Sequence, residues 1–239
     1  AAGVKNVFTL DGDRSGTLLD RAALVSDAHT VVACSADDLA AILYTSGTTG
    51  RSKGAMLTHG NLSSNALTLK SYWGWTDGDV LIHALPIFHV HGLFVAIHGA
   101  LISGSKMLWF EKFDPRATIT QMARATVMMG VPTLYVRMLA EPSLTRAAAS
   151  KMRLFVAGSA PLLPETFNAW VERTGHTIVE RYGMSETVML TSNPYHAADG
   201  ERRAGTVGYP LPGVGVRVHD DQGRTCAAGE IGGIEVRGP

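Results

Sequence analysis

The sequence predicts an α/β protein: a mostly parallel sheet covered by helices, followed by a small antiparallel, barrel-like β portion. That prediction rests on three features of the chain. Short apolar runs alternate with helix-length segments between residues 80 and 180, the pattern of strands joined by crossover helices. Helix punctuation frames several of those segments, as in Asp114-Pro115 at a start and Thr174-Gly175 at a stop. After about Ser192, Pro, Gly and Val dominate. VGVRVHDDQGRTC then reads as a hairpin about Asp220-Asp221-Gln222-Gly223, with another strand in GEIGGIEVRG.

Taken in order, residues 4–10 (VKNVFTL) read as a short strand ending in the turn signal Asp11-Gly12-Asp13. Residues 13–38 are polar and poorly periodic, with one helical piece over 18–24. The run AAILYT (40–45) is a strand feeding a loop of glycines and hydroxyls. Thr58 can cap a helix that runs to about Tyr72. Further strands are expected over 80–85, 106–110, 126–131, 154–157 and 176–180. Helices are expected over 92–102, 115–125, 132–140 and 164–174. Residues 1–192 therefore form an α/β part, incomplete at its start, and residues 193–239 a β-rich part.

Residues 44–60, YTSGTTGRSKGAMLTHG, carry the strongest local chemistry. Gly47, Gly50 and Gly54 permit close approach of a ligand to the main chain. Ser46, Thr48 and Thr49 supply hydroxyls, and consecutive N–H groups in such a loop form a concavity for anions. Lys53 adds a flexible point charge suited to phosphate oxygens. A loop of this composition is often a plain connection, but every donor here favours negative charge. The P-loop pattern fails, because Lys53 is flanked by Ser52 and Gly54. Two histidines, His89 and His91, lie in LPIFHVHG at a strand end, where ligands of α/β sheets bind. No Cys or acidic partner at ligand spacing accompanies them, so zinc is disfavoured.

With 21 basic and 21 acidic residues the formal charge is zero, which argues against a nucleic-acid partner or a membrane surface. No apolar run is long enough to span a bilayer, and the first residues do not form a signal peptide. Cys34 and Cys226 lack metal-ligand spacing, so reduced thiols in a cytoplasmic protein are expected. The absence of an initiator methionine and the stop after Arg237-Gly238-Pro239 suggest part of a longer protein.

The 44–60 stretch resembles the YTSG-[ST]-TG-x-P-K-G signature of the adenylate-forming enzymes, with Ser52 in place of the usual proline. Arg181 to Thr187, RYGMSET, resembles that family's YG-x-[ST]-E motif. The combination of FHVHGL, GVPT-x-Y-x-R, GSAPL and RYGM-[ST]ET is similar to the malonyl-CoA synthetases among them. The resemblance implies ATP-dependent activation of malonate or methylmalonate to an acyl-adenylate. Pyrophosphate leaves, and the acyl group passes to coenzyme A. Catalytic roles fall to Thr45, Lys53 and Glu186, with Glu186 as a magnesium ligand. ATP binding falls to Thr45, Ser46, Gly47, Thr48, Thr49, Gly50, Lys53, Gly158, Ser159, Ala160, Arg181, Tyr182, Gly183, Glu186 and Thr187. Tyr182 is implied to pack on adenine and Thr187 to touch the α-phosphate.

His89, His91, Arg137 and Met184 are implied to face the acid, with Arg137 holding the second carboxylate. On a helical wheel, however, Arg137 lies off the apolar face, where a solvated arginine would look the same. The resemblance further implies a ribose-binding aspartate and a mobile C-terminal domain with a catalytic lysine, neither within these residues. A synthetase for another short or medium-chain acid and a non-catalytic nucleotide-binding module are the competing functions. An ATPase is disfavoured by the missing Walker pattern. Oligomeric state is left open.

Overall fold

A computed structural model describes residues 6–45 and 51–239. Residues up to Cys34 and residues from Ser35 onward form separate compact units. In the first, residues 6–10 of the strand expected over 4–10 are irregular, with no partner strand among the described residues, and residues 4–5 lie outside those described. The predicted turn is present, with Arg14 N–H donating to Asp11 O at 2.9 Å. One helix follows, α1 (Thr17–Ala22).

The second unit is organised on a seven-stranded sheet. Its strands are β3 (Val80–His83), β4 (Lys106–Trp109), β5 (Val127–Gly130), β6 (Leu154–Ala157), β7 (Ile178–Met184), β8 (Val188–Ser192) and β9 (Tyr209–Pro210). Their spatial order is β4-β3-β5-β6-β7-β8-β9. The first five pair in parallel, and β8 and β9 add antiparallel at one edge. Successive strand residues enter opposite cores, as the pleat requires. Leu81, Val127, Met129, Val156 and Val179 join one core with Leu69, Trp73 and Phe94. Ile82, Met128, Phe155 and Ile178 join the other with Met122, Tyr135, Met138 and Trp170. Both faces of the parallel region are thus covered.

The helices behave largely as their punctuation predicts. Thr58 and Asn61 form a reciprocal cap, with Oγ1 and Oδ1 each accepting the other's backbone N–H, at 3.1 and 3.0 Å, to start α2 (His59–Tyr72). Asp114 accepts from Ala117 N–H at 2.7 Å to start α4 (Pro115–Gln121). Pro132 opens α5 (Pro132–Leu139), and Gly175, at φ 78°, closes α6 (Pro164–Thr174). The predicted apolar helix over 92–102 is two helices, a π-helix over His91–Ile97 and then α3 (His98–Ser103).

Three further departures shape the site. The glycine-rich loop joins a hairpin, not a strand to a helix: β1 (Leu39–Thr45) pairs antiparallel with β2 (Lys53–Thr58). In β2 Leu57 is buried while Met56 is exposed, a period of two too short to read beside a loop. The strand expected over 176–180 is β7 and continues through RYGM. The uniformly buried β8 folds back along it and shows no alternation that the sequence could betray. Third, Gly215–His219 (β10) pairs with Gly233–Arg237 (β11) as a separate two-stranded sheet, and the Asp220–Gly223 turn closes only a short bridge between His219 and Thr225.

Candidate active site

Two clefts open at the carboxyl ends of the parallel strands, where such sheets place ligands. One, of about 460 Å³, is walled by Leu85, His89 and His91 after β3, Val131 after β5, Ser159 after β6, and Arg181, Met184 and Glu186 from β7 and beyond. The other, also about 460 Å³, lies between Ser159–Pro161, Glu180–Gly183 and Gly205 with Val207. Alternation along β7 sends Ile178 to the core on one face and Val179 to the core on the other. Glu180 and Tyr182 follow the first, and Arg181 follows the second.

Arg181 is the dominant charge of the first cleft. It is 2% exposed, and its Nε and Nη2 have no hydrogen-bond partner among the described residues. Burial pushes its guanidinium down to about 10. Gly158 makes the room, since a Cβ there would stand 2.5 Å from Arg181 Cζ. His91 is 4% exposed on the first turn of the π-helix. The helix packs in tightly, because a Cβ on Gly92 would lie 2.2 Å from Pro86 O. Ser159 Oγ sits 3.4 Å from His91 Nδ1, while Nε2 is unpartnered among the described residues. Burial first, then Arg181, His83 and His89, hold the His91 imidazole well below its usual range, so it is neutral at pH 7. A buried guanidinium beside a neutral imidazole is a cradle for a carboxylate.

In the second cleft Glu180 is buried, and its Oε1 accepts from Leu162 N–H at 3.0 Å. Its Oε2 has no partner among the described residues, and burial raises its pKa. A carboxylate beside the partly buried Tyr182 suits a flat, donor-bearing ring and repels an anion.

The β7–β8 connection brings Glu186 and Thr187 to the junction. Glu186 is exposed and walls the first cleft; Thr187 Oγ1 is buried and unpartnered among the described residues. Both also border a third cavity of about 230 Å³ between α2 and residues 211–239. The backbone here is crowded. A Cβ on Gly183 would meet Val188 O at 2.0 Å, β7 carries a bulge at Tyr182/Gly183, and Val188 and Ser159 have φ of 57° and 69°.

Thr45 and the exposed Lys53 face one another across the hairpin at the mouth of the loop. Ser46, Gly47, Thr48, Thr49 and Gly50 lie outside the described residues. The structure brings together Ser159, Arg181, Gly183, Met184, Glu186, His89 and His91 at the first cleft, and Ser159, Ala160, Arg181, Tyr182 and Gly183 at the second, so Arg181 borders both. Gly158 reaches both only through Arg181. Arg137 does not join them. It is exposed on α5, with its guanidinium 4.8 Å above the Phe113 ring, because the turn of the helix carries it away from Val131 at the cleft. Sequence analysis missed Glu180, although a carboxylate inside the apolar run TIVE is itself a sign of a charge held indoors.

The model of the AMP-binding enzyme family matches residues 2–239, and the chain belongs to that family. Among its relatives, malonate–CoA ligase of Arabidopsis thaliana is 38% identical over 82% of this chain and 35% of its own length. The crystal structure of ATP-bound MatB from Rhodopseudomonas palustris is 56% identical, with a TM-score of 0.92 over 98% of this chain and 46% of that one. A malonyl-CoA ligase with methylmalonyl-CoA and AMP bound is 40% identical, with a TM-score of 0.77 over 85% of this chain and 44% of that one. The chain thus spans between a third and a half of the length of these relatives.

Proposed function

We propose that this chain serves the ATP-dependent activation of a small dicarboxylic acid, malonate or methylmalonate, to an acyl-adenylate, with later transfer of the acyl group to coenzyme A. The observation that carries it is Arg181, buried and unpartnered at the floor of the first cleft. A monocarboxylate would leave that guanidinium unpaired, whereas a second carboxylate matches its fork, with His91 Nε2 as an added hydrogen-bonding group. The relatives named for malonate and for methylmalonyl-CoA support the same assignment. The role expected of Arg137 thereby passes to Arg181.

On the other face of β7, Tyr182 and Glu180 are suited to the adenine of ATP. Lys53, Thr45 and the loop after β1 are suited to its phosphates. Glu186 supplies a carboxylate free of ion pairing among the described residues, and Thr187 a free hydroxyl. Those oxygens fit magnesium, which takes carboxylate and phosphate ligands. When bound, that ion neutralises charge on the phosphates. The acid must approach a polyanion, and two unit charges about 4 Å apart repel by roughly 4 kcal/mol at an effective dielectric near 20. Lys53 lowers that barrier. Arg181 and His91, acting on the far carboxylate, fix the near one in line for attack on the α-phosphorus.

No helix among the described residues is long and apolar enough to cross a membrane, and we propose a cytoplasmic setting. We also retain the division at residue 192. The separate β10–β11 sheet supports it, while β9 joins β8 across it.

The test uses the full-length enzyme. Arg181→Met should collapse the ratio of kcat/KM for malonate over butyrate, by about 100-fold or more, and Arg137→Met should leave it near wild type. The reverse pattern would return the role to Arg137. Lys53→Ala and Glu186→Gln should each slow pyrophosphate release by ~100-fold with the fold retained. Normal rates in both would remove the phosphate assignment.

A further inference from the structure

Helix α2 carries one side chain whose hydrogen bonds bear on the Glu186 turn from outside the clefts. Asn65 Nδ2 donates to Met189 O at 2.8 Å, and Met189 N–H donates to Asn65 Oδ1 at 3.4 Å, across 124 residues of sequence. An asparagine amide offers one donor and one acceptor in a plane, as a peptide group does. Here it takes the place of a neighbouring strand. β9 reaches β8 only at Thr191 and Ser192, and Leu211 N–H still covers Leu190 O. At Met189 the neighbouring strand has ended, and the Asn65 amide satisfies both main-chain groups.

The position of that clamp matters more than its strength. Met189 follows Val188, a β-branched residue at φ 57°, where L side chains are rarely found. Val188 in turn follows Glu186-Thr187. A strained residue persists only where its surroundings hold it. On one side the close approach to Gly183 does so, and on the other the Asn65 clamp. The far end of β8 is tied to the same helix, through Trp73 Nε1–H donating to the Ser192 hydroxyl at 3.0 Å. β8 is therefore fastened at both ends to α2. That helix is capped by Thr58, the last residue of β2, which begins at Lys53.

We propose that Asn65 is a positioning residue for the Glu186–Thr187 turn, fixing its height relative to the β1–β2 hairpin through α2. This rests on the role proposed for Glu186. Loss of the clamp lets Val188 relax toward ordinary backbone geometry and carries the Glu186 carboxylate and Thr187 hydroxyl out of line. The acid cleft floor, built by Arg181 and His91, is left in place.

The experiment is a double-mutant cycle in the full-length enzyme, read as pyrophosphate release at varied magnesium, with KM for malonate and Tm measured alongside. Asn65→Leu should lower kcat about tenfold and raise the magnesium needed for half-maximal rate, as loss of an outer-shell partner does. KM for malonate should be unchanged. Asn65→Gln, which keeps both amide groups, should recover part of the loss. Asn65→Asp should not, because its second oxygen would face Met189 O. In a Glu186→Gln background Asn65→Leu should cost clearly less than it does in wild type. Additive losses, or a lower Tm with normal kcat and magnesium response, would overturn the proposal for Asn65 alone. A harmless Glu186→Gln would overturn it together with the role of Glu186.

Discussion

Arg181 is a buried cation with no ion-pair or hydrogen-bond partner among the described residues, and such a group is a liability to the fold that a ligand can offset. Arg181→Met should therefore keep or raise the stability of the unliganded protein, by about 1–4 kcal/mol on the scale of buried-charge replacements, while abolishing preference for dicarboxylates. Thermal or urea unfolding without acid measures it; a clear loss of stability would mean the guanidinium is paired in the free protein. His91 has the opposite bearing on pH. Its folded pKa is depressed, chiefly by burial, so the unfolded chain binds a proton first as pH falls. Its contribution is intact above the unfolded value near 6.5. Below that value it is lost as pH falls toward the folded pKa, by about 1.4 kcal/mol for each pH unit crossed. Wild type should thus lose more stability than His91→Gln between about pH 7 and pH 5. Equal slopes would place His91 in contact with solvent. The motifs pointed in the sequence to His89, His91, Tyr182 and Glu186, all of which line the clefts. Arg181 was legible only as part of RYGM, because burial without a partner is set by Gly158 and the sheet. Arg137 lies outside both clefts, because helix phase alone does not say where a cleft opens.

At the level of elements, capped and proline-opened helices were readable because their ends are decided by neighbours a few residues away. α4, α5, α6 and the start of α2 fall where Asp114, Pro132, Gly175 and Thr58 put them. β2, β8 and the π-helix were not, since each is decided by remote contacts: a hairpin partner, complete burial, and the Pro86 carbonyl against Gly92. The joints between elements carry their own ion pair. Arg153, leading into β6, donates to Asp79 at 2.6 and 2.7 Å and to Trp73 O at 2.9 Å, while Thr126 Oγ1–H donates to Asp79 at 2.7 Å. One carboxylate thereby ties the end of α2 to the starts of β3, β5 and β6. Asp79→Ala would strand the Arg153 charge and should cost about 3–5 kcal/mol, seen as a lower denaturant midpoint. A change under about 1 kcal/mol would show the pair behaving as a surface bridge.

Across the whole molecule, the parallel sheet followed from alternating apolar runs, and the site from the rule that ligands gather at strand ends. The existence of two clefts, one on each side of β7, did not, because it depends on where β8 and residues 205–207 return. That division has a measurable result. Of the two clefts, Val131 walls only the first, the one proposed to take the acid. Val131→Ala should shift the kcat/KM ratio of methylmalonate over malonate by about tenfold, the worth of a methylene or two in a pocket. KM for ATP should stay put, and a parallel change in it would mean that the clefts communicate.

Alternation along β7 also bears on descent. Under the roles proposed above, Glu180 and Tyr182 serve the nucleotide while His91 and Val131 line the first cleft alone, so a lineage could exchange its acid by substitution around those two, with Glu180, Tyr182 and the shared Arg181 left in place. A single residue inserted in β7 before Glu180 would exchange the faces on which Glu180, Arg181 and Tyr182 lie and break that arrangement. Point substitution is the open road to new acids, and a change of strand length is the closed one.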